Sequence, residues 1–149
     1  MKKFIIFALT FLILLTGCSQ AEIAGIPKGY IEKYEFYDTE GFQDYTDYAK
    51  YIYKDENKVV KSNGYKEITI DDVENIKGYF DNFKGWMEAA SRLDEYDFDD
   101  SIINEGDYVR IATKEGQPIG NSYYKKYDNY NVYFFDTETK TLYYIHSNI

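Results

Sequence analysis

The hydrophobic positions of this chain follow two rhythms, with three-and-four steps in the middle and alternation on either side. From residue 71 to residue 91, Val73, Ile76, Phe80, Phe83, Met87 and Ala90 recur at three- and four-residue spacing, one stripe of an amphipathic helix. Tyr79, Trp86 and Leu93 widen that stripe along one flank. Thr69-Ile70-Asp71-Asp72 has the form of a capping box, and Asp71, Asp72 and Glu74 stand where the positive end of a helix favours acid. Inside the helix, residues 75–81 and 82–88 form an internal repeat of seven, each with a glycine at its fourth position. Gly78 and Gly85 cost about 1 kcal/mol each relative to alanine. At about 100° per residue both fall away from the apolar stripe, on the face expected to meet solvent.

Alternation marks the strands. Tyr30–Tyr37 is one, with Tyr30, Tyr34 and Phe36 on one side of it. Aromatic content assigns a second to residues 48–54. Asp55-Glu56-Asn57 turns the chain, and residues 59–61 are expected to return as a strand. Ser62-Asn63-Gly64 turns it again into a short strand at 65–68. Beyond the helix, Asn104-Glu105-Gly106-Asp107 is a turn, and residues 108–113 form a strand with Val109 and Ile111 on one face. Glu115-Gly116-Gln117-Pro118 and Gly120-Asn121 are loop signals. Residues 131–135 and 141–146 make a hairpin about the turn at 136–140, and rings on both faces place these two strands centrally. Strands, a long helix and strands again predict an α+β fold: an antiparallel sheet of about five to six strands packed on one long central helix.

The N-terminus belongs to neither rhythm. Lys2 and Lys3 precede an apolar run from Phe4 to Leu15, broken only by Thr10, and Leu15-Thr16-Gly17-Cys18 follows. About twelve apolar residues are too few to cross a bilayer, which takes roughly twenty, but they suit the centre of an export signal. The tetrapeptide resembles the lipobox of bacterial prolipoproteins: an aliphatic residue, two small ones and an obligatory cysteine. The resemblance covers residues 1–18. It implies removal of a signal peptide, 1–17, and attachment of diacylglycerol to the Cys18 thiol, so that Cys18 becomes the acylated first residue. Two acyl chains anchor stably where one is marginal. Residues 18–29, with Gly25 and Pro27 and no sustained period, are expected to be a lipidated tether, and 30–149 a single globular domain.

Composition narrows the function classes. Loss of residues 1–17 takes Lys2 and Lys3 with it, so the −9 of the whole chain becomes −11 over 132 residues. One domain of ordinary size follows, able to bury a core without staples. Its acidity repels phosphate, so nucleic acid is not an expected partner, and it also disfavours peripheral adhesion to anionic lipid. The expected hold on the membrane is the lipid on Cys18. Lys, Tyr and Ile are abundant, as in AT-rich genomes, which favours a Gram-positive cell surface. Cys18 is the sole cysteine, which excludes an intramolecular disulfide or a cysteine metal site.

Catalytic chemistry has little to work with. His146 is the one histidine, the fourth residue from the end of the sequence, and reads as a sheet-edge residue. No Gly-x-Ser-x-Gly turn presents a serine. One histidine makes a zinc site improbable. An EF-hand begun at Asp97 would need Gly at 102 and Glu at 108, where the chain has Ile102 and Tyr108. No catalytic residue, cofactor or metal is therefore expected. The 18 tyrosines point instead to contact surfaces, above all Tyr123, Tyr124, Tyr127 and Tyr130, which could meet a protein or stack on sugar rings of an envelope glycan. Two other classes stay open: a wall-glycan hydrolase using two facing carboxylates beside exposed rings, and a small-ligand binder with a pocket lined by Phe80, Phe83 and Met87.

Overall fold

A computed structural model describes residues 23–38, 45–113 and 129–148. In chain order these contain β1 (Tyr30–Tyr37), β2 (Tyr45–Tyr53), α1 (Asn57–Val60), β3 (Lys66–Glu67), α2 (Val73–Ala89), β4 (Tyr108–Ala112), β5 (Asn129–Asp136) and β6 (Thr141–Asn148). Short 3-10 turns lie at Leu93–Glu95 and Asp100–Ile102. The strands form one antiparallel sheet of six in the order β1-β2-β6-β5-β4-β3. The fold is α+β. β6 and β5 hold the two central places, which is why both of their faces carry large side chains.

α2 covers one face of the sheet. Val73, Ile76, Tyr79, Phe80, Phe83 and Met87 are buried there against Tyr48, Val109, Ile111, Val132, Phe134 and Ile145. Burying each such side chain stabilises by about 1.5–3 kcal/mol, so this stripe decides where the helix sits. In the turn just before it, the Asp72 carboxylate accepts from the Thr69 N–H (3.1 Å) and hydroxyl (2.7 Å). Only half of the capping box forms: Asp72 reaches back to Thr69, but the Thr69 hydroxyl donates to that carboxylate instead of accepting a helix N–H, and Asp72, the N-cap, makes no side-chain bond to the first turn.

The second face has a core of its own, made of Ala49, Tyr51, Tyr53, Val59, Tyr65, Tyr133, Phe135, Leu142 and Tyr144. Here several sequence expectations are corrected. Residues 59–61 do not return as a strand. Asp55 Oδ1 accepts from the Asn57 N–H (3.1 Å) and starts the helical turn α1, which drops Val59 into this core. Tyr30 does not share a side with Tyr34 and Phe36. A bulge between Tyr30 and Glu32 turns Tyr30 to the second face, 4.9 Å from the Tyr51 ring, while Phe36 packs on the helix side. His146 is no edge residue. β6 lies between β2 and β5, and the imidazole is buried.

The glycines of the seven-residue repeat also part company. Gly85 is exposed, with nothing within 4 Å of a built Cβ, whereas Gly78 is buried. Gly85→Ala should therefore stabilise the protein by about 1 kcal/mol through helix propensity alone. A higher midpoint in urea denaturation is the check.

Candidate functional site

α2 and the segment after it leave part of the helix-side face uncovered. A groove of about 400 Å³ opens there across β1, β2 and β6, lined by Glu32, Lys33, Tyr34, Lys50, Ile52, Thr139, Thr141 and Tyr143. Strand alternation sets this lining. Glu32, Tyr34, Lys50 and Ile52 occupy matched positions on β1 and β2, and Lys50 and Ile52 stand opposite Tyr143 and Thr141 of β6. The hairpin turn supplies one wall. Asp136 Oδ1 accepts from the backbone of Glu138 and Thr139, and its Oδ2 from the Thr139 hydroxyl, which holds Thr139 over the groove.

The acidic segment after α2 does not line the groove but holds two residues that do, Lys50 and Tyr34. Asp97 is ion-paired with Lys50 and accepts from the Tyr48 hydroxyl (2.7 Å). Partial burial pushes the Asp97 carboxyl up, but Lys50 and Tyr48 together hold it below the usual carboxylate range. The Lys50 ammonium also lies 5.2 Å from the centre of the Tyr34 ring. Tyr34 donates to Glu95 (2.8 Å), and burial and that bond push its hydroxyl up to about 12, so it stays a neutral donor. Tyr34 is 40% exposed. The result is a shallow trough with aromatic, apolar, hydroxyl and charged groups side by side. Its chemistry suits an extended polar ligand with flat apolar faces.

Two further arrangements bear on chemistry. Near one end of β2 on the second face, Asn131 Oδ1 accepts from the Tyr144 hydroxyl (2.8 Å) and lies 2.9 Å from His146 Nδ1. Asn131 Nδ2 donates to the Thr113 carbonyl (2.8 Å), which fixes the amide orientation and so places a proton on Nδ1. Tyr45 packs its ring 5.0 Å from the imidazole. This histidine is tied into a buried polar network. Asp47 stands opposite it in register, and burial pushes its carboxyl up to about 6. The second arrangement is a smaller depression, about 280 Å³, edged by Asp81, Lys84, Asp99 and Asp100. Its rings, Phe80, Tyr96 and Phe98, are buried, and Asp99 accepts from the Ser101 N–H (3.0 Å). Among the described residues the groove is lined by one acid, Glu32, and the acids of the smaller depression stand beside buried rings.

The contact surface expected at Tyr123, Tyr124, Tyr127 and Tyr130 fares differently. The first three lie outside the described residues. Tyr130 is fully buried, its ring 4.9 Å from that of Tyr79 and its hydroxyl accepting from Asn82 (3.2 Å), so it serves the core and not a surface. Phe80, Phe83 and Met87 are likewise packed into the helix–sheet core, with Phe80 stacked 4.0 Å from Phe98. The groove residues were not singled out by sequence reasoning. The available signal was Lys50, a cation on the same side of β2 as Tyr48.

A family model for the prokaryotic membrane lipoprotein lipid attachment site matches residues 1–19. The chain is a membrane-anchored lipoprotein. No curated protein and no solved structure shows significant similarity to it. Among the described residues no helix of this lipoprotein is long and apolar enough to cross a membrane.

Proposed function

We propose that this lipoprotein is an extracytoplasmic binding domain, held by diacylglycerol on Cys18, that presents its sheet groove to a cell-envelope glycan. Cys18 is the one thiol of the chain and falls inside the matched attachment segment, which supports it as the acceptor. The observation that carries the binding reading is the open groove, with Tyr34 and Tyr143 set among Glu32, Lys50, Thr139 and Thr141. Sugar rings offer apolar faces to stack on tyrosine and hydroxyls to bond to the polar groups between. The role is binding without turnover. The amino-acid bias toward Lys, Tyr and Ile supports a Gram-positive surface as its setting.

The test is co-sedimentation of the detergent-solubilised lipoprotein with protein-free, purified wall glycan particles. Wild-type protein should pellet with the glycan in a saturable way. Tyr34→Ala and Glu32→Ala change exposed side chains and should each weaken binding about tenfold, or about 1.4 kcal/mol. Equal sedimentation of all three proteins would move the site elsewhere. Retention only by particles that still carry protein would identify the partner as a protein instead.

A further inference from the structure

Residues 23–29, the described part of the segment expected to be a tether, are part of the fold. Ile23 and Ile26 pack against the second-face core. Three tyrosine hydroxyls of the sheet side donate to carbonyls of this strap: Tyr133 to Ala24 (2.5 Å), Tyr65 to Gly25 (3.3 Å) and Tyr53 to Pro27 (2.6 Å). Gly25 has φ +94°, and a Cβ there would lie 2.3 Å from Arg110 Nη1 and 3.1 Å from the Tyr133 ring. The left-handed φ favours glycine here, and a side chain would also have to displace the guanidinium, which lies 5.0 Å from the centre of the Tyr133 ring.

Ile23 is therefore fixed on the sheet face opposite α2. From Cys18 to Ile23 is five residue steps, a reach of at most about 18 Å when fully extended. The outer surface of α2 stands about 15 Å beyond the sheet on the other side, from a layer spacing of about 10 Å and a helix radius of about 5 Å. So short a span cannot pass around the sheet and helix to bring that surface to the lipid.

Charge is distributed in the same sense. From Asp71 to Asp107, through α2 and the segment after it, the chain carries twelve acidic and three basic residues. In the strap and in residues 54–61, whose Val59 and Val60 share a core with Ile23 and Ile26, the exposed Lys28, Lys54, Lys58 and Lys61 are set against Asp55 and Glu56. Salt screens such fields within about 8–10 Å. Charge thus biases the orientation, and the short span enforces it.

Resting on the reading that Cys18 carries the lipid, we infer that the strap face is a membrane-apposed surface. Its partner is an anionic phospholipid bilayer, and the α2 side with its groove is turned outward. The experiment uses full-length lipoprotein, purified from membranes and reconstituted into phosphatidylglycerol–phosphatidylcholine vesicles. A fluorophore is placed on a second cysteine, in Lys61→Cys beside the strap or in Glu88→Cys on the exposed side of α2, and quenched by nitroxide-headgroup lipid.

Quenching should be several-fold stronger at 61 than at 88. Inserting twelve Gly/Ser residues between Ser19 and Gln20, ahead of the packed residues 23–29, should abolish the difference. Gly25→Val should reduce it as well, by releasing the strap and lengthening the free span. Equal quenching at the two positions in the unmodified background, or stronger quenching at 88, would overturn the inference. Failure of the protein to float with vesicles at all would overturn the Cys18 reading first, and the orientation with it.

Discussion

Phe134→Ala is expected to destabilise the protein by about 3–5 kcal/mol, a large part of the total stability of a domain of this size. Phe134 is fully buried on central strand β5. Its ring meets Phe80 of α2 at 6.0 Å, Phe98 of the acidic segment at 5.9 Å and Tyr143 of β6 at 6.0 Å. Truncation removes the side chain on which helix, segment and sheet converge. None of the three can move into the space without giving up its own contacts. Urea denaturation should show a lower midpoint with an unchanged slope. Ile70→Ala, at a side chain 68% exposed, should change stability by no more than about 0.5 kcal/mol. The damage would also reach the groove, because Tyr143 rests on Phe134 and lines it.

Cys18→Ser should have the largest effect on location. Without a thiol there is no site for thioether formation, and the acyl chains that give stable anchoring are lost. Among the described residues no membrane-crossing helix exists to take their place. Fractionation should show the variant either released in soluble form or retained as a precursor with residues 1–17 intact. Mature, membrane-bound Cys18→Ser protein would contradict the lipid anchor.

Much of the fold was legible because its signals are local and redundant. The α2 stripe repeats the same message over four turns, and rings on both faces of β5 and β6 required a central place in the sheet. The failures have particular causes. At residues 59–61, Val59-Val60 has the composition of a strand. The Asp55 carboxylate overrides it by capping a helical turn, and the second-face core accepts Val59 in that form. The bulge that turns Tyr30 away from Tyr34 leaves no mark in the alternation itself. His146 looked peripheral because it is near the end of the sequence, yet the last strand inserts between β2 and β5.

The candidate site was far less visible. Its lining comes from β1, β2, the 136–141 hairpin turn and β6, so nothing in one stretch of sequence announces it. The strap was misread for a related reason. Residues 23–29 carry no period, and what holds them is the hydroxyls of Tyr53, Tyr65 and Tyr133, which are distant in sequence. The surplus of tyrosine, first read as a contact surface, is in large part used inside the protein, where ring and hydroxyl are both satisfied.

The lipid anchor is the claim on which the location, the short span and the outward-facing groove all depend. Its most direct test is the mass of the N-terminal peptide of the protein extracted from membranes. The account predicts a peptide beginning at Cys18 and carrying diacylglycerol on its sulfur. A peptide that still contains residues 1–17, or one with an unmodified Cys18 thiol, would contradict it.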